Sequence, residues 1–239
     1  MQELIDFGLN MISIITTAIN RPTILQQTMD SLFANSDILK HQVQWIIHID
    51  YIAHLGRESL NETVALCNSY KSKLPVIQVL RERPQGPAQA INECARFVKG
   101  ETIFYLEDDW LCHHGRGTAT KKAVDDKLEI GYFLDRLKTY AYCTLAARLE
   151  RCSFNPCLIR SAHYLRVTKD LDIKTDAEMQ AQHRWMAEEK TLKKQWLFDP
   201  EPKKYFSDLG REWLETTQLK KWDMKKRYNK PVTYTIESK

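Results

Sequence analysis

Between residues 11 and 106 the sequence alternates four short apolar runs with three segments of helical periodicity, and this order restricts the possible folds severely. "MISIITT" is β-branched and apolar, as a buried strand requires. Pro22 then stands where a helix begins, and "TILQQTMDSLF" repeats its apolar residues at helical spacing. "VQWIIHID" reads as a second strand and "ESLNETVALCNSYKS" as a second helix. "PVIQVL" is the third strand, "AQAINECARFVK" the third helix with Gly100 as its stop, and "TIFYL" the fourth strand. Three βα units followed by a strand predict an α/β fold with a mainly parallel sheet flanked by helices.

That order gives a location to an unusual run of acids. The fourth strand ends in Glu107, Asp108 and Asp109, followed by Trp110. In open α/β sheets a ligand lies outside the carboxyl ends of the strands, where these acids emerge. Clustered carboxylates suit a hard divalent cation, which takes oxygen ligands and bridges to phosphate oxygens. The alternative is an acidic turn that caps the next segment. Other strand ends carry polar groups suited to a nucleotide: Thr17, Asn20 and Arg21 after the first strand, and Asp50 at the end of the second. "RERPQGPAQAIN" supplies Arg81 and Arg83, then Gly86 before a helix start at Pro87, a favourable place for an anion. No GxxxxGK[ST] phosphate loop is present.

The ordered set "SIITTAINRP", "IIHID", "GPAQAINECARFVKG" and "IFYLEDDW" resembles the GT-A glycosyltransferases that use nucleotide-diphosphate sugars, especially family 2. The resemblance covers residues 11 to 112. It implies a GT-A, Rossmann-like fold in which residues 1–112 bind the nucleotide sugar and 113–239 form a variable acceptor-side half of the same domain. It also implies that Thr17, Asn20, Arg21 and Asp50 hold the base and ribose. Glu107, Asp108 and Asp109 take the D-x-D position, with Asp109 as ligand to Mn²⁺ or Mg²⁺ and the earlier acids near the ribose or metal-bound water. Gly86 and Arg83 belong to the nucleotide-sugar side, and Arg211 in "YFSDLGREW" is expected to close over the diphosphate.

Two departures stand out. Where the family often has A-R-N, this chain has Ala90, Ile91 and Asn92, so Arg81 or Arg83 would have to replace the missing arginine. Glu107 also stands for the first Asp of the motif. An inverting transfer needs a carboxylate that takes the acceptor hydroxyl's proton. In similar proteins it opens a helix well beyond the acids, and "LDIKTDAEMQAQHRW" offers Asp176 and Glu178, of which Glu178 is preferred. His163 and His183 are candidates for a further metal ligand, against the plainer reading of hydrogen-bonded histidines.

After Trp110 the alternation lapses. "VDDKLEIGYFLDRLK", residues 176–194 and residues 209–227 are expected to be helical. "YAYCTLAAR" and "SFNPCLIR" are expected to form paired strands, and "PVTYTI" a final strand. Six cysteines without a CxxC pair point to reduced thiols rather than zinc or a disulfide framework. No apolar run reaches the roughly 18 residues of a membrane span, and the start lacks a secretory pattern, so a cytoplasmic protein without a transmembrane segment is expected. Net charge is only +4, but residues 219–230 carry six basic residues against one acid. That stretch is either a solvated face or a contact with an anionic surface. A glycan or lipid-linked saccharide is the expected hydroxyl acceptor, with hydroxymethylated DNA and a non-catalytic nucleotide-binding or nucleic-acid-binding module as alternatives.

Overall fold

The computed structural model describes residues 11–83, 86–113, 127–145, 154–192, 205–210, 219–220 and 235–236. Strand β1 (Ile12–Ile19) is followed by α1 (Pro22–Asn35), β2 (Val43–Asp50), α2 (Gly56–Ser69), β3 (Val76–Arg81), α3 (Pro87–Ala95) and β4 (Thr102–Tyr105). Then come β5 (Trp110–Cys112), α4 (Ile130–Thr139), β6 (Tyr142–Thr144), β7 (Cys157–Arg160), α5 (Ser161–Val167), α6 (Ala177–Leu192) and β8 (Phe206–Asp208). The main sheet has the order β3-β2-β1-β4-β7-β6. Its first four strands are parallel, and β7 and β6 close it antiparallel. The expected α/β architecture is therefore present.

The reason lies in the strand sequences. A central parallel strand is covered on both faces, so nearly every residue must tolerate burial. β2 is buried along its whole length, and β1 at all but one position. Alternation then divides the side chains between two cores. Ile12, Ile14, Trp45, Ile47 and Ile49 face α1 and α2, whereas Ile15, Ile46 and Ile103 face α3, α5 and α6. Helix α1 buries Leu25, Thr28, Met29 and Leu32, the i, i+3, i+4, i+7 stripe its sequence predicted. Two buried polar pairs lie inside the sheet. Ser13 Oγ accepts from Gln44 Nε2 at 2.8 Å, and Thr16 Oγ1 from Trp45 Nε1 at 2.9 Å.

Several boundaries differ from the sequence reading. α3 ends at Ala95, and Gly100 has another task. A Cβ there would collide with the Met11 carbonyl, and its N–H donates to Ser13 Oγ at 3.1 Å. The glycine admits β4 alongside β1 instead of stopping the helix. α4 starts only at Ile130, because Asp37 Oδ1 accepts its N–H at 2.7 Å while Leu128 bridges to Ser36. The helix expected over 209–227 is replaced at Leu219–Lys220 by a strand paired with Thr235–Ile236, the latter inside the expected final strand. The rest of the basic 219–230 stretch lies outside the described residues. The paired strands expected near 140–160 are β6 and β7.

Five cysteines, Cys67, Cys94, Cys112, Cys143 and Cys157, are buried free thiols. Burial pushes Cys67, Cys112 and Cys157 up to about 12, so they are poor nucleophiles and poor metal ligands near neutrality. Among the described residues no helix is long and apolar enough to cross a membrane.

Candidate active site

A cavity of about 350 Å³ opens at the carboxyl ends of β1, β2 and β4 and is closed from the far side by the start of α6 and the end of β8. Thr17, Arg21, Asp50, Gly86, Glu107, Asp108, Asp109, Asp176 and Glu178 all line it. Topology brings them together: parallel strands deliver their ends to one edge, and the loops that follow must pass across it.

The acidic triplet is held by a cation that precedes it by almost ninety residues. Asp108 is buried, and Arg21 grips it with two donors, Nη2 to Oδ1 at 2.5 Å and Nε to Oδ2 at 3.2 Å. The Ile19 amide donates to the same Oδ2 at 3.3 Å, and Thr28 Oγ1 donates to the Asp108 carbonyl at 2.8 Å. Burial raises the Asp108 pKa, and Arg21 and the Ile19 amide oppose that shift. Arg21 Nη2 also reaches Asp109 Oδ2 at 3.2 Å. Three consecutive acids are thus tolerated because they diverge. Glu107 Oε2 accepts from Trp110 Nε1 at 3.3 Å, Asp108 turns inward onto Arg21, and Asp109 faces the cavity rim.

Asp109 has a second acid beside it. β8 pairs antiparallel with β5, setting Asp208 opposite Trp110, and the Leu209 N–H donates to the Asp109 carbonyl at 2.7 Å. Next comes Gly210, where a Cβ would collide with Asp109 Oδ2 and stand 3.2 Å from Asp208 Oδ1. Only a glycine leaves both carboxylates in place. Sequence reading named this segment but not Asp208, since its approach to Asp109 depends on a long-range antiparallel pairing with no local signature.

Asp50 lines the same cavity from β2. Burial, and then the Glu93 charge, push its carboxyl up to about 7. Gly86 lines the wall between it and α3, with φ 83, a left-handed value that favours glycine.

Other expectations meet different positions. Asn20 does not line the cavity. Its Oδ1 accepts the Ile52 N–H at 2.7 Å and its Nδ2 donates to the Gly56 carbonyl at 3.2 Å, so it fastens the loop after β2. Arg83 is exposed and does not line the cavity either. Arg81, the other candidate to replace the missing arginine, is paired with Glu93. His163 pairs with Glu188 at 3.3 Å on the α5–α6 side, and neither it nor His183 lines the cavity. Arg211 lies outside the described residues. Among the described residues no three His, Cys, Asp or Glu side chains converge as a ready metal cage.

The two base candidates differ in their bonds. Asp176 is the cap of α6: its Oδ1 accepts the Met179 N–H at 2.8 Å and its carbonyl accepts the Gln180 N–H at 3.1 Å. Glu178, in the first turn, has a long 3.4 Å contact from Gln182 Nε2 and lines the cavity. Phe154 and Asn155, just before β7, complete that wall.

Residues 13–129, a little under half of the chain, match Glycosyl transferase family 2. No protein of curated function matches the chain in sequence. Among solved structures, the Pyrobaculum calidifontis mannosyltransferase PcManGT, in complex with GDP-Man and Mn²⁺, aligns with TM-score 0.58 and 11% identity, over 81% of this chain and 55% of that one. A fragment of S. aureus TarS aligns with TM-score 0.54 and 16% identity, over 87% of this chain and 63% of that one. The same fragment in complex with UDP gives 0.54 and 14%, over 82% and 59%. This chain spans less than two thirds of each of these structures. Together with the parallel sheet and its flanking helices, these matches show that the chain has a GT-A fold, and that residues 13–129 are similar to glycosyltransferase family 2.

Proposed function

We propose that this chain is a metal-dependent glycosyltransferase that moves a sugar from a nucleotide-diphosphate sugar to a hydroxyl acceptor, with inversion at the anomeric carbon. The observation that carries this reading is the convergence of Asp50, Asp109 and Glu178 on one cavity from three distant parts of the sequence. The family match and the solved relatives bound to GDP-Man or UDP support it.

Asp109 and Asp208 fit a divalent ion. Two acidic residues share one spot that a side chain at Gly210 would obstruct, and among the described residues no complete protein cage surrounds them. Mn²⁺ and Mg²⁺ commonly bind through one or two carboxylates and take substrate phosphates for the remainder. When bound, such an ion would neutralise charge that develops on the departing diphosphate. Arg21 keeps Asp108 out of that role and orients Asp109 through the same Nη2 atom. Glu178 stands across the cavity as the base that takes the acceptor's proton, and Asp176 fixes the helix start that carries it. The acceptor reading remains a glycan or a lipid-linked saccharide, with the protein acting in the cytoplasm.

Calorimetry with UDP and GDP, with and without Mn²⁺, tests the donor site. Asp109→Ala is expected to weaken nucleotide binding in Mn²⁺ by at least about tenfold and to leave metal-free binding nearly unchanged. Equal affinity of the variant and the parent in Mn²⁺ would remove Asp109 from the metal site.

A further inference from the structure

Asn92 sits inside α3, where asparagine is a poor helix former, so its place there needs a reason. Its side-chain amide supplies one. Nδ2 donates to the Leu171 carbonyl at 2.9 Å, and Oδ1 accepts the Leu171 N–H at 3.0 Å. One side chain thereby meets both backbone groups of a residue 79 positions away. Leu171 is buried, so leaving those two groups unmet would be costly.

The next residue is held in the same way from the other side. Gln180 of α6 accepts the Asp172 N–H on Oε1 and donates from Nε2 to the Asp172 carbonyl, both at 2.8 Å. The connection between α5 and α6 is thus gripped by two amides back to back, Asn92 from α3 and Gln180 from α6. Two further bonds carry this order into the start of α6. Asp172 Oδ1 accepts the Lys174 N–H at 2.9 Å, and Asp176 Oδ1 accepts the Met179 N–H at 2.8 Å.

The two helices joined by this clamp form two parts of the cavity wall. Gly86, Pro87 and Ala90 line it at the start of α3, and Ala177 and Glu178 line it at the start of α6. Beneath them Ala88 and Ile91 share a core with Leu171, Ala177, Ala181 and Trp185. Apolar contact is non-directional and lets a helix slide or turn, whereas hydrogen bonds of this geometry fix its register. We propose that Asn92 and Gln180 are positioning residues that together set α6 against α3 and so hold Glu178 at its working distance from the donor side of the cavity. This rests on the reading of Glu178 as the base and deepens it. Neither residue lines the cavity, so both act through Glu178. Misplacing a reacting group by about 1 Å can cost on the order of 10²-fold in rate.

The test is a double-mutant cycle on release of UDP or GDP from a panel of UDP- and GDP-sugars in Mn²⁺, with water or a saccharide as acceptor. Asn92→Leu removes both bonds to Leu171 and keeps helix propensity. Gln180→Met does the same at the exposed Asp172, and gives the readout alone where Asn92→Leu does not fold. Each is expected to lower kcat by about 10- to 100-fold with donor KM nearly unchanged. Amide hydrogen exchange at Leu171 is expected to speed up in Asn92→Leu. In a Glu178→Gln background the same substitutions should cost less than about threefold, since no base is left to place. Parental kcat in both variants overturns the proposal. So does a loss of equal size in the Glu178→Gln background, which would mark a purely structural role. Parental kcat in Glu178→Gln by itself, or no release by the parent from any sugar, removes the base reading and the positioning role with it, and is recognised without any change at Asn92 or Gln180.

Discussion

Glu178→Gln is expected to lower sugar transfer by about 10²- to 10⁴-fold while leaving nucleotide-sugar affinity nearly unchanged. The amide keeps the size and position of the side chain at the start of α6 but can no longer take a proton. Asp176→Asn behaves differently, because asparagine also caps a helix well and Asp176 Oδ1 is committed to the Met179 amide. It should change turnover little. Steady-state kinetics of both variants, with donor binding measured separately, distinguishes the two acids. Near-normal turnover in Glu178→Gln would place the base elsewhere or indicate a retaining reaction.

Arg21→Met is expected to destabilise the fold by about 3–5 kcal/mol, the scale for removing one partner of a buried ion pair. Asp108 would keep its backbone bonds but lose both guanidinium donors in a site that is nearly sealed from water. The loss should depend on pH in a definite direction. Without Arg21 the Asp108 carboxyl pKa in the folded state rises further above its unfolded value. The folded variant then binds more protons than the unfolded chain, so its stability falls as pH rises through the acidic range and recovers at low pH. Urea denaturation at pH 5 and pH 8 measures this. A stability loss below about 1 kcal/mol at pH 8 would mean that Asp108 does not rely on Arg21. The double variant Arg21→Met with Asp108→Leu should regain part of the loss, because it buries no unpaired charge.

The parts of this protein legible from sequence are those set by short-range periodicity. β1 to β4 and α1 to α3 announce themselves through apolar runs and helical stripes, and the order of βα units then implies the parallel sheet. Positions at strand ends follow from that, so the sequence alone assigns Thr17, Asp50 and Glu107 to Asp109 to one edge, where they line one cavity. Partnerships were less legible. Arg21 and Asn20 read as ligand contacts because they are polar and sit at the right edge, yet one balances Asp108 and the other fastens the loop after β2. Nothing in "INRP" separates a side chain that meets a ligand from one that meets the protein. Gly100 looked like a helix stop because glycine often is one, whereas the decisive fact is a close approach to Met11. Asp208 was hidden for the same reason: an antiparallel pairing of three residues, about a hundred positions apart, leaves no periodic trace.

We propose that the cavity holding Asp50, Asp109 and Glu178 activates a nucleotide-diphosphate sugar. Its most direct test is release of nucleoside diphosphate from a panel of nucleotide sugars in Mn²⁺, with saccharide, lipid-linked saccharide and 5-hydroxymethylpyrimidine DNA acceptors supplied in turn. Release is expected from one donor above the rest, stimulated by a saccharide or lipid-linked acceptor, and lost on metal chelation or in Asp109→Ala. Stimulation by the DNA alone would redirect the acceptor assignment, and no release from any donor with any acceptor would mean that the cavity does not activate a nucleotide sugar.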